Sequence, residues 1–293
     1  MGSSNAVLAK GVVVGHAVRF RDYGRSRFRN FSTFTLLGDT MKLLRTNSKL
    51  EKQNGVDYLL AGLTFAPGDL AGHEVCHWRS PFCFNSCNMH FSGMRVTPQA
   101  RASAVATTRF YFERRPEFLL QLNRELVNHR KLATRKGLTP LVRLNMASDL
   151  DWSAVIQQHP ETTFYDYSKS RKRFAQYLDG KLPGNYFLTF SRHENHADGL
   201  VAEFLLRGGN VAIVCDVLYN PQHGKIGTLP GSFKLAGYSF PVVDGDRHDI
   251  RLPSIDGCGR VVGLRLKGTL ASKNRATSGG FAIAGKQLER LTA

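Results

Sequence analysis

The sequence predicts an α/β protein with mostly parallel strands, built as an incomplete or irregular (βα) barrel that follows a basic N-terminal arm. From residue 140 onward, short apolar segments alternate with helical or polar ones, a pattern typical of parallel strands joined by right-handed crossovers. Each predicted strand also runs directly into polar side chains, as in barrels whose active sites lie at the carboxyl ends of the strands. We expect residues 1–55 to form the arm or a small subdomain, and residues 56–293 to form the barrel-like domain.

The predicted elements follow one another along the second region. An apolar run over residues 58–65 leads into a loop that carries three cysteines. Residues 98–109 are rich in alanine and predict a helix. Residues 117–136 form the clearest helix, because apolar side chains recur with a spacing of about 3.6 and Gly137 follows as a stop signal. Later strands are predicted at residues 140–144, 163–165, 185–190 and 210–214, with a helix at residues 198–207 before the last of them.

Composition and charge indicate a folded protein with a polyanionic partner. The chain has 293 residues, of which 42% are hydrophobic, enough for one large core. Its 40 Lys and Arg against 23 Asp and Glu give a formal charge of +17, which favours binding to nucleic acid, with DNA and RNA both open. No apolar stretch reaches the roughly 20 residues that span a bilayer. We therefore expect no membrane partner and a cytoplasmic protein.

Basic residues concentrate in two segments. Cations for phosphates beside aromatic rings for bases are typical of a nucleic-acid surface. The arm carries Arg19, Arg21, Arg25, Arg27 and Arg29, interleaved with Phe20, Tyr23 and Phe28. The second segment comprises Lys169, Arg171, Lys172 and Arg173. We predict that both contact nucleic acid, and the alternative is a solvated arm and a wet helix face.

Three cysteines, Cys76, Cys83 and Cys87, fall within twelve residues and no fourth follows nearby. Structural zinc sites normally take four Cys or His ligands, in pairs separated by two to four residues, whereas the gaps here are six and three. A cubane cluster takes one thiolate per iron, so three cysteines leave one iron open. The motif predicts an iron–sulfur cluster, with the four-iron (4Fe-4S) form favoured. The alternatives are three separate buried thiols, or zinc completed by His73, His77 or His90.

Polar residues at the predicted strand ends are candidates to face the open iron. We predict catalytic roles for Asp149, Asp166 and Lys169, with either carboxylate as general base and Lys169 or Arg192 stabilising negative charge. Asn145, Ser191 and Arg192 are the predicted cofactor-binding residues. The alternative for the charged residues is a structural role in buried ion pairs or helix caps.

Three further carboxylates, Asp244, Asp246 and Asp249, lie within six residues near the end of the chain. Such a group could bind a hard cation or a basic partner. Asp-Gly-Asp is also ordinary turn chemistry, so both interpretations stand at this point.

Several motifs together resemble the phage gene product 88-like family. They are the cysteine run with Ser80-Pro81 before Cys83, the Arg-Leu-Asn-x-x-Ser-Asp of residues 143–149, and segments at residues 164–169, 185–191, 209–212, 243–246 and 262–268. The resemblance covers roughly residues 45–268, so the arginine-rich arm lies outside it. It implies a phage or mobile-element origin and no particular reaction. It does not lead us to expect a cysteine at the position of Cys215, which is therefore not an obligatory fourth ligand.

The arrangement of three cysteines at the mouth of a barrel is also similar to that of radical S-adenosylmethionine enzymes. Their hallmark gaps are three and two residues, which this chain does not have, so the spacing argues against S-adenosylmethionine as a second cofactor. The function predicted overall is that of a phage-encoded iron–sulfur protein with an open iron, which acts on or binds nucleic acid. The alternative is a non-enzymatic DNA- or RNA-binding protein with a structural cluster or zinc site.

Overall fold

A computed structural model describes residues 41–46, 50, 57–91, 97–217 and 227–292 of the chain. Met41–Ala293 make up one compact unit. Its first strand, Leu44–Arg45, precedes the predicted boundary at residue 55 and joins the sheet of this unit. The predicted nucleic-acid contacts Arg19, Arg21, Arg25, Arg27 and Arg29 lie outside the described residues.

The described strands form one nine-stranded sheet in the order β1-β2-β3-β4-β5-β6-β9-β8-β7. Their bounds are β1 Leu44–Arg45, β2 Tyr58–Leu63, β3 Thr139–Arg143, β4 Thr163–Ser168, β5 Tyr186–Ser191, β6 Asn210–Cys215, β7 Ser232–Leu235, β8 Tyr238–Asp244 and β9 Val261–Arg265. Pairs from β2 to β6, β6 with β9, and β9 with β8 are parallel, whereas β1 and β7 pair antiparallel at the two edges. The predicted α/β class with mostly parallel strands is confirmed.

The predicted barrel is not confirmed, because the sheet is open. β1 and β7 are its edge strands, and no described strand pairs with the outer side of either. The sequence analysis missed the hairpin between β7 and β8. Its two-residue turn, Ala236 and Gly237, has positive φ angles of 49° and 86°, the conformation that two-residue hairpin turns favour.

Helices lie between the parallel strands. Their bounds are α1 Pro81–Asn85, α2 Asn88–Phe91, α3 Pro98–Glu113, α4 Arg115–Arg135, α5 Ser153–Gln157, α6 Arg171–Leu178, α7 Asp198–Leu206, α8 Pro253–Asp256, α9 Leu270–Ser278 and α10 Gly285–Thr292. The long predicted helix is α4, which buries Phe118, Leu122 and Leu126. It ends where Gly137 adopts a φ of 66° and Leu138 N donates to Ala133 O, an αL stop of the kind glycine permits.

Alternate residues of the strands serve two apolar clusters. Phe164 packs with the helices that flank one face of the sheet, and the next residue, Tyr165, packs on the opposite face with Ile250 and Leu252. Because successive side chains of a strand point to opposite faces, the central strands are buried on both sides, whereas β7 and β8 keep exposed residues. Because β2 to β6, β8 and β9 run parallel to one another, their carboxyl ends meet at one edge of the sheet, which we call the carboxyl edge. Among the described helices, none is both long and apolar enough to cross a bilayer.

Candidate metal centre at the carboxyl edge

The cysteine loop, residues 64–87, follows β2 and lies across the carboxyl edge. Asp149 N donates to Val75 O at 2.7 Å, and the Cys76 thiol lies 3.5 Å from Ala147 O, so the loop contacts the segment after β3. Ser80 Oγ donates to Glu194 Oε2 at 2.7 Å, which joins the loop to the segment after β5. These bonds hold the cysteines over the ends of the parallel strands.

Local chemistry fixes the path of this loop. Ser80 is the N-cap of α1 and accepts a hydrogen bond from Cys83 N at 3.1 Å, while Pro81 occupies the first turn. Arg79 pairs with Glu74 at 2.8 Å and stacks over the ring of Phe84 at 3.7 Å. The Ser-Pro dipeptide before Cys83 is therefore a helix start, which orients that cysteine.

The three thiols lie close enough to one another to interact electrostatically. Burial raises the pKa of Cys76 to about 12, and a charge on Cys87 or Cys83 would raise it further. Burial likewise raises the pKa of Cys87 to about 11. A charge on Cys83 raises this pKa further, whereas the charge of Lys169 lowers it. The loop thus brings three sulfurs and one lysine into the same neighbourhood.

The remaining cysteines and the candidate histidines are placed differently. Cys215 is buried, and the charged groups that influence its pKa are Arg265, Asp246 and Arg192 rather than the other thiols. Cys258 is exposed. The ring of His73 stacks on Phe112. Among the described residues, no three or more His, Cys, Asp and Glu side chains are grouped so that they could hold a metal ion.

Lys169 extends from the end of β4 toward the end of β5. Its Nζ donates to Ser191 Oγ at 2.6 Å and lies 5.3 Å from the centroid of the Phe281 ring. Within the described part of the chain, no carboxylate lies within ion-pair distance of this ammonium group. Lys169 and Ser191, predicted from strand ends, are therefore in contact beside the cysteines.

Arg192 is buried, with 5% of its surface exposed. Its Nη1 donates to Gly280 O at 3.1 Å, and its Nε is buried without a partner among the described groups. Burial lowers the pKa of this guanidinium, with Asp198 and Glu194 opposing the shift. One oxygen of Glu194, Oε1, is likewise buried and without a described partner.

Two histidines that the sequence analysis did not select follow directly. The rings of His193 and His196 stack with centroids 3.6 Å apart. Backbone N–H groups donate to both Nδ1 atoms, from Asn195 to His193 at 3.1 Å and from His193 to His196 at 3.2 Å. Burial, reinforced by Lys169, lowers the pKa of His193 to about 4, and burial together with His193 lowers that of His196 to about 3. Both rings are therefore neutral at pH 7 and carry their proton on Nε2.

Several predicted site residues are instead held by structural bonds. Asp149 pairs with Arg173 at 2.7 Å and accepts from Lys169 N at 2.8 Å, so its carboxylate is used in positioning Lys169. Both polar atoms of the Asn145 side chain are hydrogen-bonded, because its Nδ2 donates to Leu150 O and its Oδ1 accepts from Leu150 N. The prediction of Arg173 as a nucleic-acid contact is wrong, since its guanidinium is buried on Asp149, whereas Arg171 and Lys172 are exposed.

Asp166, predicted as a general base, is completely buried inside a polar network. It accepts from Asn145 N at 2.8 Å and from Tyr186 Oη at 3.2 Å. Burial raises its pKa to about 7, although the nearby Arg143 opposes the shift. Arg143 in turn pairs with Asp249 at 3.1 Å. These contacts make Asp166 part of the packing beneath the carboxyl edge rather than of its surface.

The carboxylates after β8 pair with basic residues after β9. Asp246 lies 2.6 Å from Lys267 and 3.2 Å from Arg265, and Asp244 lies 2.8 Å from Arg265. Since Asp249 pairs with Arg143, all three carboxylates have cationic partners within the chain. Asp246 N also donates to Asp244 Oδ1 at 3.0 Å, so of the two interpretations the contacts fit the structural turn rather than a site for a cation or an external partner.

Comparison with known proteins gives a family and no relative of known activity. No curated protein and no solved structure matches the chain significantly. The model of the family described as Gene product 88 matches residues 39–284, a range that includes the cysteine loop and every described strand. The chain therefore belongs to the gene product 88 family.

Proposed function

We propose that this protein binds a 4Fe-4S cluster through Cys76, Cys83 and Cys87, leaves one iron open to a substrate, and acts on or binds nucleic acid. The observation that carries the proposal is the position of the loop that bears the three cysteines, which lies across the carboxyl edge of a parallel sheet with the Cys76 thiol 3.5 Å from Ala147 O and the Ser80 hydroxyl bonded to Glu194. Thiolates are the soft ligands that iron–sulfur clusters use, and each binds a different iron of a cubane. The sulfurs of such a site need not be as close together as ligands of a single ion.

The surroundings of the thiols fit an anionic cluster whose fourth position is open. Lys169 is the cation whose charge lowers the pKa of Cys87, and no described carboxylate pairs with this lysine. The carboxyl edge is also where α/β proteins place substrates, because loops from several strands meet there. A bound cluster would supply redox or Lewis-acid chemistry at the open iron.

The chain's own residues would hold and orient the substrate. The buried Arg192 is fixed by the carbonyl groups of Gly280 and Phe281, so its charge has a defined position. Lys169 is fixed through Ser191 and, at its backbone N–H, through Asp149. Cations held in this way stabilise negative charge on a substrate without reorganising during reaction.

The nucleic-acid part of the proposal is supported by charge and exposure. Residues 41–293 contain 34 Lys and Arg against 21 Asp and Glu, so most of the positive excess lies in the α/β unit. Arg171 and Lys172 are exposed at the start of α6, directly after Lys169. Trp78, in the cysteine loop, is 48% exposed, which leaves an aromatic face on which a base could stack.

The second candidate function is a nucleic-acid-binding protein without catalytic activity, in which a cluster or zinc ion only braces the cysteine loop. The hydrogen bonds that tie this loop to the segments after β3 and β5 favour such a bracing role. Turnover of S-adenosylmethionine, or of another added substrate, would exclude this second candidate, since it requires an open iron. A purely structural site predicts no turnover of any added substrate.

Metal analysis of protein purified without oxygen tests the proposal. We expect a brown protein with about four iron and four sulfide per chain. Cys83→Ala should lose the colour, whereas the exposed Cys258→Ala should keep it and serves as the matched control. A colourless protein with one zinc per chain, or equal iron in both variants, would contradict the proposal.

A further inference from the structure

The ends of β4 and β5 form a group of hydrogen-bond donors with few acceptors. Lys169 Nζ donates to Ser191 Oγ at 2.6 Å and to Ser191 O at 3.5 Å, which leaves its third proton and the hydroxyl proton of Ser191 free to donate. His193 and His196 use Nδ1 to accept backbone N–H groups, so each can only donate from Nε2. No described acceptor lies within hydrogen-bond distance of either Nε2 atom. Each of these four side chains therefore keeps at least one proton for which the described residues supply no acceptor.

The tautomer of the histidines decides what they can bind. An imidazole ligates a metal through a nitrogen that carries no proton, and in both rings that nitrogen already accepts a backbone hydrogen bond. The pair is consequently set to donate to an oxygen and not to bind iron or zinc. Lys169 and Arg171 both act on the two rings electrostatically, so the surroundings of the histidine pair are positively charged.

The charges around this group also favour an anion. The buried Arg192, whose Nε lacks a described partner, adjoins it in sequence and adds a third cation. Glu194 is the carboxylate that opposes them, and Asp198 acts on Arg192 from the first turn of α7. One oxygen of Glu194, Oε2, is already used as the acceptor of the Ser80 hydroxyl. Lys169, Arg171 and Arg192 thus outnumber the two carboxylates that face them.

We propose that Lys169, Ser191, His193 and His196 form a phosphate-binding site beside the three cysteines, and that this site holds a phosphate group of the substrate. A tetrahedral oxyanion accepts several hydrogen bonds at once, which matches four donors from the ends of two adjacent strands. The site deepens the proposed function and rests on it, because the phosphate would place the rest of the substrate at the open iron. The phosphate could belong to a free nucleotide or to a nucleic-acid strand, and the recognising chemistry is the same for both.

Calorimetric titration of the anaerobically purified protein tests the site. The probes are inorganic phosphate, sulfate, adenosine monophosphate, and a short single-stranded oligonucleotide with or without a 5′-phosphate. We expect phosphate and sulfate to compete for one site per chain. Lys169→Met should weaken their binding at least about tenfold, because a charge-assisted hydrogen bond is lost. Tighter binding of the monophosphate or of the 5′-phosphorylated strand would identify which of the two carries the phosphate.

Matched variants separate this site from general charge. Lys181→Met removes a lysine that pairs with Asp179 at 2.9 Å between α6 and β5, at the opposite edge of the sheet, and should leave phosphate binding unchanged. His196→Phe should weaken it, whereas His196→Gln, which keeps a donor near Nε2, should recover most of it. Ser191→Ala is the variant least able to disturb folding and should weaken binding about threefold or more.

Two results would overturn the phosphate site. One is the absence of phosphate and sulfate binding to the wild-type protein, and the other is equal binding by the Lys169→Met and Lys181→Met variants. Iron and sulfide content is measured on the same samples. Loss of the phosphate site with a full complement of iron would overturn this inference alone, whereas a phosphate-binding protein without iron would overturn the cluster and keep the anion site.

Discussion

Two regions of the carboxyl edge are equally rich in charged residues and differ in how those residues are paired. At the ends of β8 and β9, Asp244 and Asp246 contact Arg265 and Lys267. At the ends of β4 and β5, Lys169 has a hydroxyl and an aromatic ring as neighbours, and Arg192 has two backbone carbonyls. The first region satisfies its charges internally. The second leaves positive charge without a described carboxylate partner and imidazole donors without a described acceptor, which is why we assign stability to one and binding to the other.

Breaking the buried pair of Arg143 and Asp249 should have the largest effect on stability. Asp249 Oδ2 lies 3.1 Å from Arg143 Nη1 and accepts from Tyr165 Oη at 3.0 Å. Asp249→Ala therefore leaves the buried guanidinium and the hydroxyl without this acceptor. We expect the free energy of unfolding to fall by about 3–5 kcal/mol, measured by urea denaturation. The control, Asp179→Ala, removes a carboxylate from exposed pairs with Lys181 and Arg207 and should leave the free energy of unfolding nearly unchanged. Similar losses in both variants would contradict the account.

The histidine pair should make stability depend on pH. Both pKa values are lowered on folding, to about 4 and about 3, so the unfolded chain binds protons more readily than the folded one. Stability is then complete above the unfolded value of about 6.5 and declines as the pH falls toward the folded values. We expect a loss of stability as the pH falls from about 6.5 to about 5.5 that is absent from a His193→Gln, His196→Gln double variant. An identical pH profile for the two proteins would show that the rings are not held neutral.

Removing Asp246 tests the region at the ends of β8 and β9, where the charged residues are paired. Asp246→Ala deprives Lys267 and Arg265 of a carboxylate that is 10% exposed and should lower the free energy of unfolding by about 1–2 kcal/mol. Phosphate binding should not change, because the site at β4 and β5 is untouched. Lys169→Met should show the reverse pattern, with weaker phosphate binding and little loss of stability. Loss of phosphate binding in the Asp246 variant would erase the distinction between the regions.

The smallest effect per residue is expected for the exposed cations of α6. If Arg171 and Lys172 contact phosphates of a nucleic acid, replacing both by Ala should reduce the slope of log affinity against log salt by about 1–2. The complex of the wild-type protein should weaken steeply between about 50 and 200 mM salt. Lys181→Ala provides the control. A flat salt dependence for the wild-type protein would remove nucleic acid as a partner.

Some of this structure is predictable from sequence because the signals are local. The apolar stripe of α4 and the glycine after it define a helix whatever the rest of the chain does. The same holds for the short apolar strands, whereas Ser80-Pro81, which indicates a turn in the sequence, begins α1 in the structure. Polar residues after each strand likewise indicate the carboxyl edge, since parallel strands bring their ends together.

Pairing over long separations is not visible in a sequence. Arg171 and Arg173 look equivalent, yet one is exposed and the other is buried on Asp149, because alternate positions at the start of a helix face opposite ways. Asp246 meets Lys267 only because β8 and β9 lie side by side. His193 and His196 were missed for a related reason, as their tautomer depends on backbone N–H groups whose direction is set by a turn. A His-x-x-His after a predicted strand, next to a lysine-bearing strand end, was the signal that could have found them.

The most direct test of the account is the iron count before and after mild oxidation. Protein purified without oxygen is treated with ferricyanide, and iron and sulfide are measured together with the electron paramagnetic resonance spectrum. Three thiolates leave one iron without a protein sulfur, so we expect about one iron per chain to be released and the spectrum of a three-iron cluster to appear. Retention of all iron after oxidation, or stoichiometric zinc with no sulfide, would contradict an open iron held by Cys76, Cys83 and Cys87.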